Sequence, residues 1–273
     1  MTFLRKRQFW IYLALIVGSL LVVYPFVFMI LNSFKVGTEI LNYPTRLPQH
    51  WSLDGYHKVF EQLDLGNMFK NTIIIAVSVT ALNVVLSSMV AYALSKLKFP
   101  GKGLLFQVII GSMMIPTVLL MIPAYSMYYE WGWINTYTVM IVPAAVSAYN
   151  IFLIRQFMIA IPNDFLEASR LDGCTEIQTY RKIVLPMSLP VLSTVAILTF
   201  MNSWNDLAGP LLYLQDRSMY TLQLGLYTIK SEIPGQNLEQ LWAALTVTTL
   251  PIVFVFFFLQ RYFVNAFTGV GLK

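Results

Sequence analysis

Along this chain, long apolar stretches without a charge alternate with shorter segments that carry every Asp, Glu, Lys and Arg. Six charge-free runs exceed twenty residues: 8–34, 71–95, 103–129, 131–154, 183–205 and 240–260. A helix of about 20 residues, rising about 1.5 Å per residue, crosses a hydrocarbon core of about 30 Å. Each run therefore predicts one transmembrane helix. Pro25, Pro116, Pro123, Pro143, Pro190 and Pro251 fall inside the runs. A proline removes a backbone hydrogen bond and bends the rod, which a membrane tolerates where neighbouring helices or water take up the freed carbonyl. Such spans suit a moving, cavity-lining bundle better than a rigid anchor.

Composition sharpens this picture. Of 273 residues, 57% are hydrophobic and 11% charged, and the mean hydropathy is +0.65; six spans use most of such a chain and exclude an independent soluble enzyme domain. The first run follows Arg5-Lys6-Arg7 as in a signal peptide, but it is too long and ends without small residues of the A-x-A kind, so it reads as a retained span. The net charge of +5 does not point to nucleic acid, because the basic residues lie beside spans and form no stripe with interleaved aromatics. The single cysteine, Cys174, excludes an internal disulfide and a cysteine-based metal site.

Orientation follows from the Lys and Arg between the spans. With the N-terminus in the cytoplasm, segments 1–8, 96–102, 155–182 and 261–273 share that side and hold twelve Lys and Arg, against six elsewhere. The positive-inside bias then places both termini in the cytoplasm. On the opposite side, 35–70 is broken by Pro44 and Pro48; Ser52 is expected to cap a short helix with Leu53, Tyr56, Phe60 and Leu63 on one stripe. His50 and His57 fall in this segment without metal-ligand spacing, so a solvated face is expected.

The segment 161–186 reads as two capped helices. Pro162 and Asn163 open the first, Asp164 and Glu167 sit where the helix dipole favours anions, and Gly173 supplies a left-handed ending. Thr175 and Gln178 form a capping box for the second, which runs toward Pro186. Phe165, Leu166 and Ser169 share a face suited to a groove on another protein.

Here the residues carry a family resemblance. Glu167-Ala168-Ser169-x-x-Asp172-Gly173-Cys174, followed by Tyr180, Ile183, Leu185-Pro186 and Pro190, resembles the Glu-Ala-Ala loop of ATP-binding-cassette importer permeases, with Ser169 and Cys174 in place of alanines. Asn32-Ser33-Phe34-Lys35, Ala91-Tyr92-Ala93-Leu94-Ser95, Phe200 to Asn205 and Pro210-Leu211 are similar to the carbohydrate-uptake, maltose-type branch, in its second permease subunit. The resemblance covers nearly the whole chain. It implies an all-α integral membrane protein of six transmembrane helices, a type I importer permease bundle with a cytoplasmic coupling helix. The expected division is a first helix and outer loop (1–70), a permease core of five helices (71–262) and a cytoplasmic tail (263–273). The glycine-rich tail differs in detail from the family's.

The implied mechanism divides labour. Without a G-x-x-x-x-G-K-[ST] loop the chain is expected to have no nucleotide site and no enzymatic activity of its own. The resemblance implies a separate cytoplasmic ATPase dimer that binds ATP and Mg and takes the helix 164–172, with Asp164, Phe165, Leu166, Glu167, Ala168, Ser169, Asp172 and Gly173 as coupling residues. It also implies a second homologous permease, an extracytoplasmic solute-binding protein meeting 35–70 and 213–239, and a carbohydrate substrate, all at a bacterial or archaeal cytoplasmic membrane.

Polar residues within the spans leave two readings open. Asn83, Ser87, Ser88, Asn150, Asn202 and Asn205 can join helices by hydrogen bonds or line a translocation path. For the path, Asn202, Asn205 and Asp206 share a helical face at i, i+3 and i+4, while Trp204 points about 200° from Asn202 and is expected to pack on a neighbouring helix. An ion-coupled secondary carrier is the alternative function, disfavoured because the six runs contain no Asp, Glu, Lys, Arg or His where such carriers hold titratable groups. A membrane-embedded hydrolase lacks a Ser/His or paired-Asp arrangement.

Overall fold

A computed structural model describes residues 2–232 and 237–268. Every regular element among them is helical. Helix α1 is Thr2–Ser33, α2 is Gly37–Asn42, α3 is Asp54–Gln62 and α4 is Leu65–Lys96. They are followed by α5 (Lys102–Ser112), α6 (Thr117–Glu130) and α7 (Tyr137–Ile159), the last interrupted between Pro143 and Ser147. Then come α8 (Asp164–Leu171), α9 (Glu176–Met187), α10 (Leu189–Trp204), α11 (Ala208–Tyr213), α12 (Leu222–Glu232) and α13 (Leu238–Thr268). The glycine-rich tail beyond Thr268 lies outside the described residues.

Three stretches are long and apolar enough to cross a membrane alone: Gln8–Ser33, Leu65–Lys96 and Tyr137–Ile159. Two helix pairs are apolar enough only when taken together, and each is bent: α5 and α6 meet at 97°, and α9 and α10 at 78°. Leu238–Phe254 is a shorter apolar helix at the start of α13. The proline positions explain the breaks. Pro116 separates α5 from α6, Pro143 opens the interruption of α7, and Pro190 stands in the first turn of α10. The second apolar run begins earlier than its charge-free limit, because α4 already includes Lys70.

The chain forms two compact units, one of Met1–Leu65 with Gly225–Ile252, the other of Gly66–Leu224 with the chain from Val253 on.

In the first unit, Gln8–Ser33 is exposed along most of its length. Its end is anchored where Phe28 meets Trp242 edge-on, ring centroids 5.5 Å apart. Lys35 is buried and its three ammonium protons have three acceptors: Asn32 Oδ1 at 3.0 Å, the Tyr43 carbonyl at 3.0 Å and the Pro44 carbonyl at 2.9 Å. Burial pushes the pKa of this ammonium down, and Glu39 partly offsets that.

The stripe expected on α3 is not the buried one. Leu53 and Phe60 are exposed, while Gly55 and Val59 are buried. Backbone contact decides this: a Cβ on Gly55 would collide with the Glu239 carbonyl, so the glycine face is the one that fits against α13. Lys58 Nζ donates to Glu239 Oε1 at 2.6 Å and Gln240 Nε2 to Gln62 Oε1 at 2.8 Å. Leu53 occupies the cap position without a side-chain cap, and Ser52 Oγ accepts the Asp54 N–H instead.

In the second unit, one apolar cluster joins Tyr92 of α4, Ile154 and Met158 of α7, Leu166 of α8, Val184 of α9 and Val195 of α10. Another joins Ile75, Val79, Val139, Met140, Leu214 and Leu224. Asn135, at positive φ (62°), accepts the N–H groups of Gln215 and Asp216 on its Oδ1, tying the loop after α6 to the segment after α11.

Candidate functional site: a capped hairpin and a polar cavity

The hairpin α8–α9 is built from local signals. Helix α8 starts after Asn163 and carries Asp164 and Glu167 in its first turn. It stops at Gly173, φ 78°. The Cys174 N–H donates to the Ser169 carbonyl and the Gly173 N–H to the Arg170 carbonyl, each at 3.0 Å, the paired bonds of a Schellman ending. Thr175 and Gln178 then make a complete capping box. One residue therefore separates the end of one helix signal from the next, which forces the chain into a tight hairpin.

Leu166 and Ser169 are 2% and 3% exposed. They are thus not on the outward face that their spacing with Phe165 suggested. Leu166 enters the apolar cluster and Ser169 Oγ meets Thr179 Oγ1 at 2.8 Å, so that face is spent on closing the hairpin. The outward face comprises Asp164, Phe165, Glu167, Ala168 and Asp172, together with Arg170 and Leu171, which was not singled out from the sequence. Leu171 is 89% exposed and Ile177, on the second helix, 70%. Phe165, Leu171 and Ile177, exposed together with the carboxylates of Asp164, Glu167 and Asp172, form a surface suited to a partner.

Of the polar residues proposed from the sequence, Asn83, Asn150, Asn202 and Asp206 share a cavity of about 750 Å³. Asn83 and Asn150 also tie helices together. Asn150 Nδ2 donates to Asn83 Oδ1 at 2.7 Å and to Thr199 Oγ1 at 3.0 Å, and Asn83 Nδ2 donates to the Ala144 carbonyl at 3.0 Å. These amides therefore bridge α4, α7 and α10 and also stand in the wall of the cavity. Asp206 is the one carboxylate of the lining, which contains no Lys, Arg or His. Its Oδ1 accepts the Gly209 N–H at 3.2 Å.

Asn205 is not among the lining residues, contrary to its i+3 spacing from Asn202. The Asn205 side chain, at the C-terminal end of α10, turns back along the helix instead, its Nδ2 donating to the Met201 carbonyl at 2.8 Å. Ser203, Thr117 and Tyr149 line the cavity instead. Trp204 packs as expected: it is 2% exposed, with Phe200 and Phe69 at ring distances of 5.5 and 6.4 Å. Its indole N–H is buried without a hydrogen-bond partner among the described residues. His50 and His57 are both exposed.

Known proteins resemble this arrangement over almost its full length. The arabinooligosaccharides transport system permease protein AraQ of Halalkalibacterium halodurans is 36% identical over 259 residues, 93% of this chain and 92% of that protein. The trehalose/maltose transport system permease protein MalG of Thermococcus litoralis is 30% identical over 270 residues, 95% and 96% of the two chains. A crystal structure of a bacterial transporter that imports the acidic polysaccharide alginate has the same fold, with a TM-score of 0.83 at 23% identity over 95% of this chain and 98% of that one. Residues 83–269, which hold the hairpin and the whole polar wall of the cavity from Asn83 to Asp206, match the family described as binding-protein-dependent transport system inner membrane component. The chain belongs to that family of ATP-binding-cassette transporter permeases.

Proposed function

We propose that this chain is one of two permease subunits of a binding-protein-dependent ATP-binding-cassette importer for an uncharged oligosaccharide. The observation that carries the reading is the family match across 83–269. The transport systems of two relatives are named for arabinooligosaccharides and for trehalose and maltose. A cavity whose polar lining is amides, hydroxyls and the Asp206 carboxylate, with no cation to meet an acidic sugar, supports a neutral substrate, since such groups answer sugar hydroxyls by hydrogen bonding.

In this reading the chain crosses the membrane six times with both termini in the cytoplasm. Two of the spans are the bent pairs α5–α6 and α9–α10, and the apolar start of α13 belongs to the sixth. Helix α8 is the coupling helix. A separate ATPase dimer, which binds ATP and Mg, receives its outward face, with Phe165 and Leu171 entering an apolar cleft and Glu167 meeting a basic group. Closure of that dimer moves α8 and re-orients the cavity. A second permease completes the path, and a solute-binding protein delivers substrate at 35–70 and 213–239.

The test is reconstitution of the chain with its neighbouring permease and ATPase subunits in proteoliposomes. ATP-dependent accumulation of a labelled neutral arabino-, malto- or chito-oligosaccharide, stimulated by the binding protein, is expected. Uptake driven by an ion gradient without ATP overturns the reading. For orientation, reporter cysteines at 98 and 181, with Cys174 replaced, should be protected from an impermeant thiol reagent in intact cells, and those at 46 and 217 should react.

A further inference from the structure

The second helix of the hairpin, α9, is fastened to α4 by two hydrogen-bonded rungs one helical turn apart, while Lys96 of α4 donates to Asn163 Oδ1 at the start of α8. Tyr92 Oη donates to Glu176 Oε2 at 2.8 Å, and Tyr180 Oη meets Ser88 Oγ at 2.7 Å. Residues 88 and 92 are four apart on α4 and residues 176 and 180 four apart on α9, so both pairs lie on facing stripes. The order is antiparallel, with 176 opposite 92 and 180 opposite 88. The two tyrosine rings pack on each other between the rungs, centroids 5.2 Å apart. One rung alone would leave a pivot; two hold the helices against both sliding and rotation.

The same carboxylate reaches back to α8. Glu176 Oε1 accepts from Arg170, Nε at 3.0 Å and Nη2 at 2.9 Å. The buried Ser169–Thr179 bond closes the hairpin beside it. Tyr180 opens a π-helical turn, Tyr180–Val184. Such turns are rare, since they widen the helix for one residue. Tyr92, the inner end of one rung, is nine residues along α4 from Asn83, about 14 Å at helical rise. Asn83 in turn carries the bonds to Asn150 and Ala144 in the cavity wall. An unbroken sequence of hydrogen bonds and one rigid helix thus joins the outward face of α8 to the cavity.

We infer that Tyr92, Ser88, Glu176 and Tyr180 are positioning residues that transmit movement of the coupling hairpin to α4 and thereby to the substrate cavity. This rests on the transport reading given above. Removing the rungs should uncouple ATP turnover from the state of the cavity while leaving the outward face of α8 intact for the ATPase.

The experiment uses the complete complex in proteoliposomes, with Cys174→Ala and a reporter Ser203→Cys in the cavity wall. Reaction of the reporter with an impermeant maleimide is timed without nucleotide and with ATP plus vanadate. In the complex with both rungs a change in rate of fivefold or more is expected. In Tyr92→Phe/Tyr180→Phe the change should shrink below twofold, while ATP hydrolysis per assembled complex stays within about threefold. A loss of stability alone would lower the amount of complex but leave the nucleotide response of what remains. If that double variant assembles poorly, Tyr92→Phe/Ser88→Ala removes the same two rungs by a milder route. A full nucleotide response in either double variant overturns the inference. A reporter that ignores nucleotide when both rungs are present overturns the transport reading, and the inference with it.

Discussion

The segment from Phe34 to Leu63 and the hairpin from Pro162 to Tyr180 both leave the end of a long helix, and both must hold short elements in a fixed place. They do so by opposite means. The hairpin is specified locally: Gly173, the Schellman bonds and the Thr175–Gln178 box all lie within eleven residues. The first segment is specified at a distance, since Lys35 holds carbonyls eight and nine residues on, and α3 rests on Glu239, nearly two hundred residues away. Local devices place a helix end, whereas buried polar contacts place a whole segment.

The largest expected effect breaks this comparison at Lys35. Removing its ammonium by Lys35→Ala orphans Asn32 Oδ1 and the Tyr43 and Pro44 carbonyls, and each buried unsatisfied acceptor costs about 1–3 kcal/mol. The segment 36–52 should become a protease site in membrane vesicles, and the assembled complex should lose thermal stability. Lys35→Arg should not restore it, because a planar fork cannot direct its donors to three acceptors placed around one nitrogen. Unchanged proteolysis in Lys35→Ala would show that the segment is held by other contacts.

This contrast also explains what the sequence made legible. The long apolar helices were visible because charge-free runs of more than twenty residues leave little ambiguity, and the hairpin because caps are read within a few residues. The register of α3 was not visible: its apolar stripe named Leu53 and Phe60, but the close approach of Glu239 to Gly55 outweighs hydrophobicity there. Leu166 was misplaced for a related reason, since its side chain serves the core of its own unit. The pairing of Glu176 with Tyr92 is not legible in the sequence, because a Glu in a first turn and a Tyr in a span each have an ordinary local explanation; only their 2.8 Å contact gives them a joint role.

A smaller effect sharpens the local side of the comparison. A Cβ on Gly173 would meet nothing within 4 Å, so space does not forbid a side chain and only the positive φ does. Gly173→Val should cost about 1–2 kcal/mol at that position and misdirect α8, abolishing uptake while the protein still inserts. Gly173→Asn should retain most uptake, because asparagine tolerates the left-handed region. Equal loss in both variants would mean that the absence of a side chain, rather than the backbone angle, is what the site needs. Glu167→Lys, on the exposed face of the same helix, should leave insertion intact and lower co-purification of the ATPase.

The smallest expected effect falls at the end of α10, where local and distant specification meet. Asn202 lines the cavity and Asn205, three residues on, does not, because the Asn205 amide turns back to the Met201 carbonyl. Its Oδ1 is met by Gln223 Nε2 at 3.4 Å, a long and exposed contact. Asn205→Ala should therefore shift apparent substrate affinity less than twofold and leave selectivity among neutral oligosaccharides unchanged, with assembly near normal. Asn202→Ala should change affinity or preference by several-fold at equal assembly, since a wall amide that loses its sugar hydroxyl gives up about 0.5–1.5 kcal/mol. Trp204→Ala belongs to a third class: it empties a buried site between Phe69 and Phe200 at a cost of about 3–5 kcal/mol and should lower the amount of complex without altering the affinity of what assembles. Competition uptake with paired oligosaccharides, normalised to assembled complex, separates the three. A selectivity change in Asn205→Ala as large as that in Asn202→Ala would return Asn205 to the path and make the end of α10, rather than its last full turn, the part of this subunit that faces substrate.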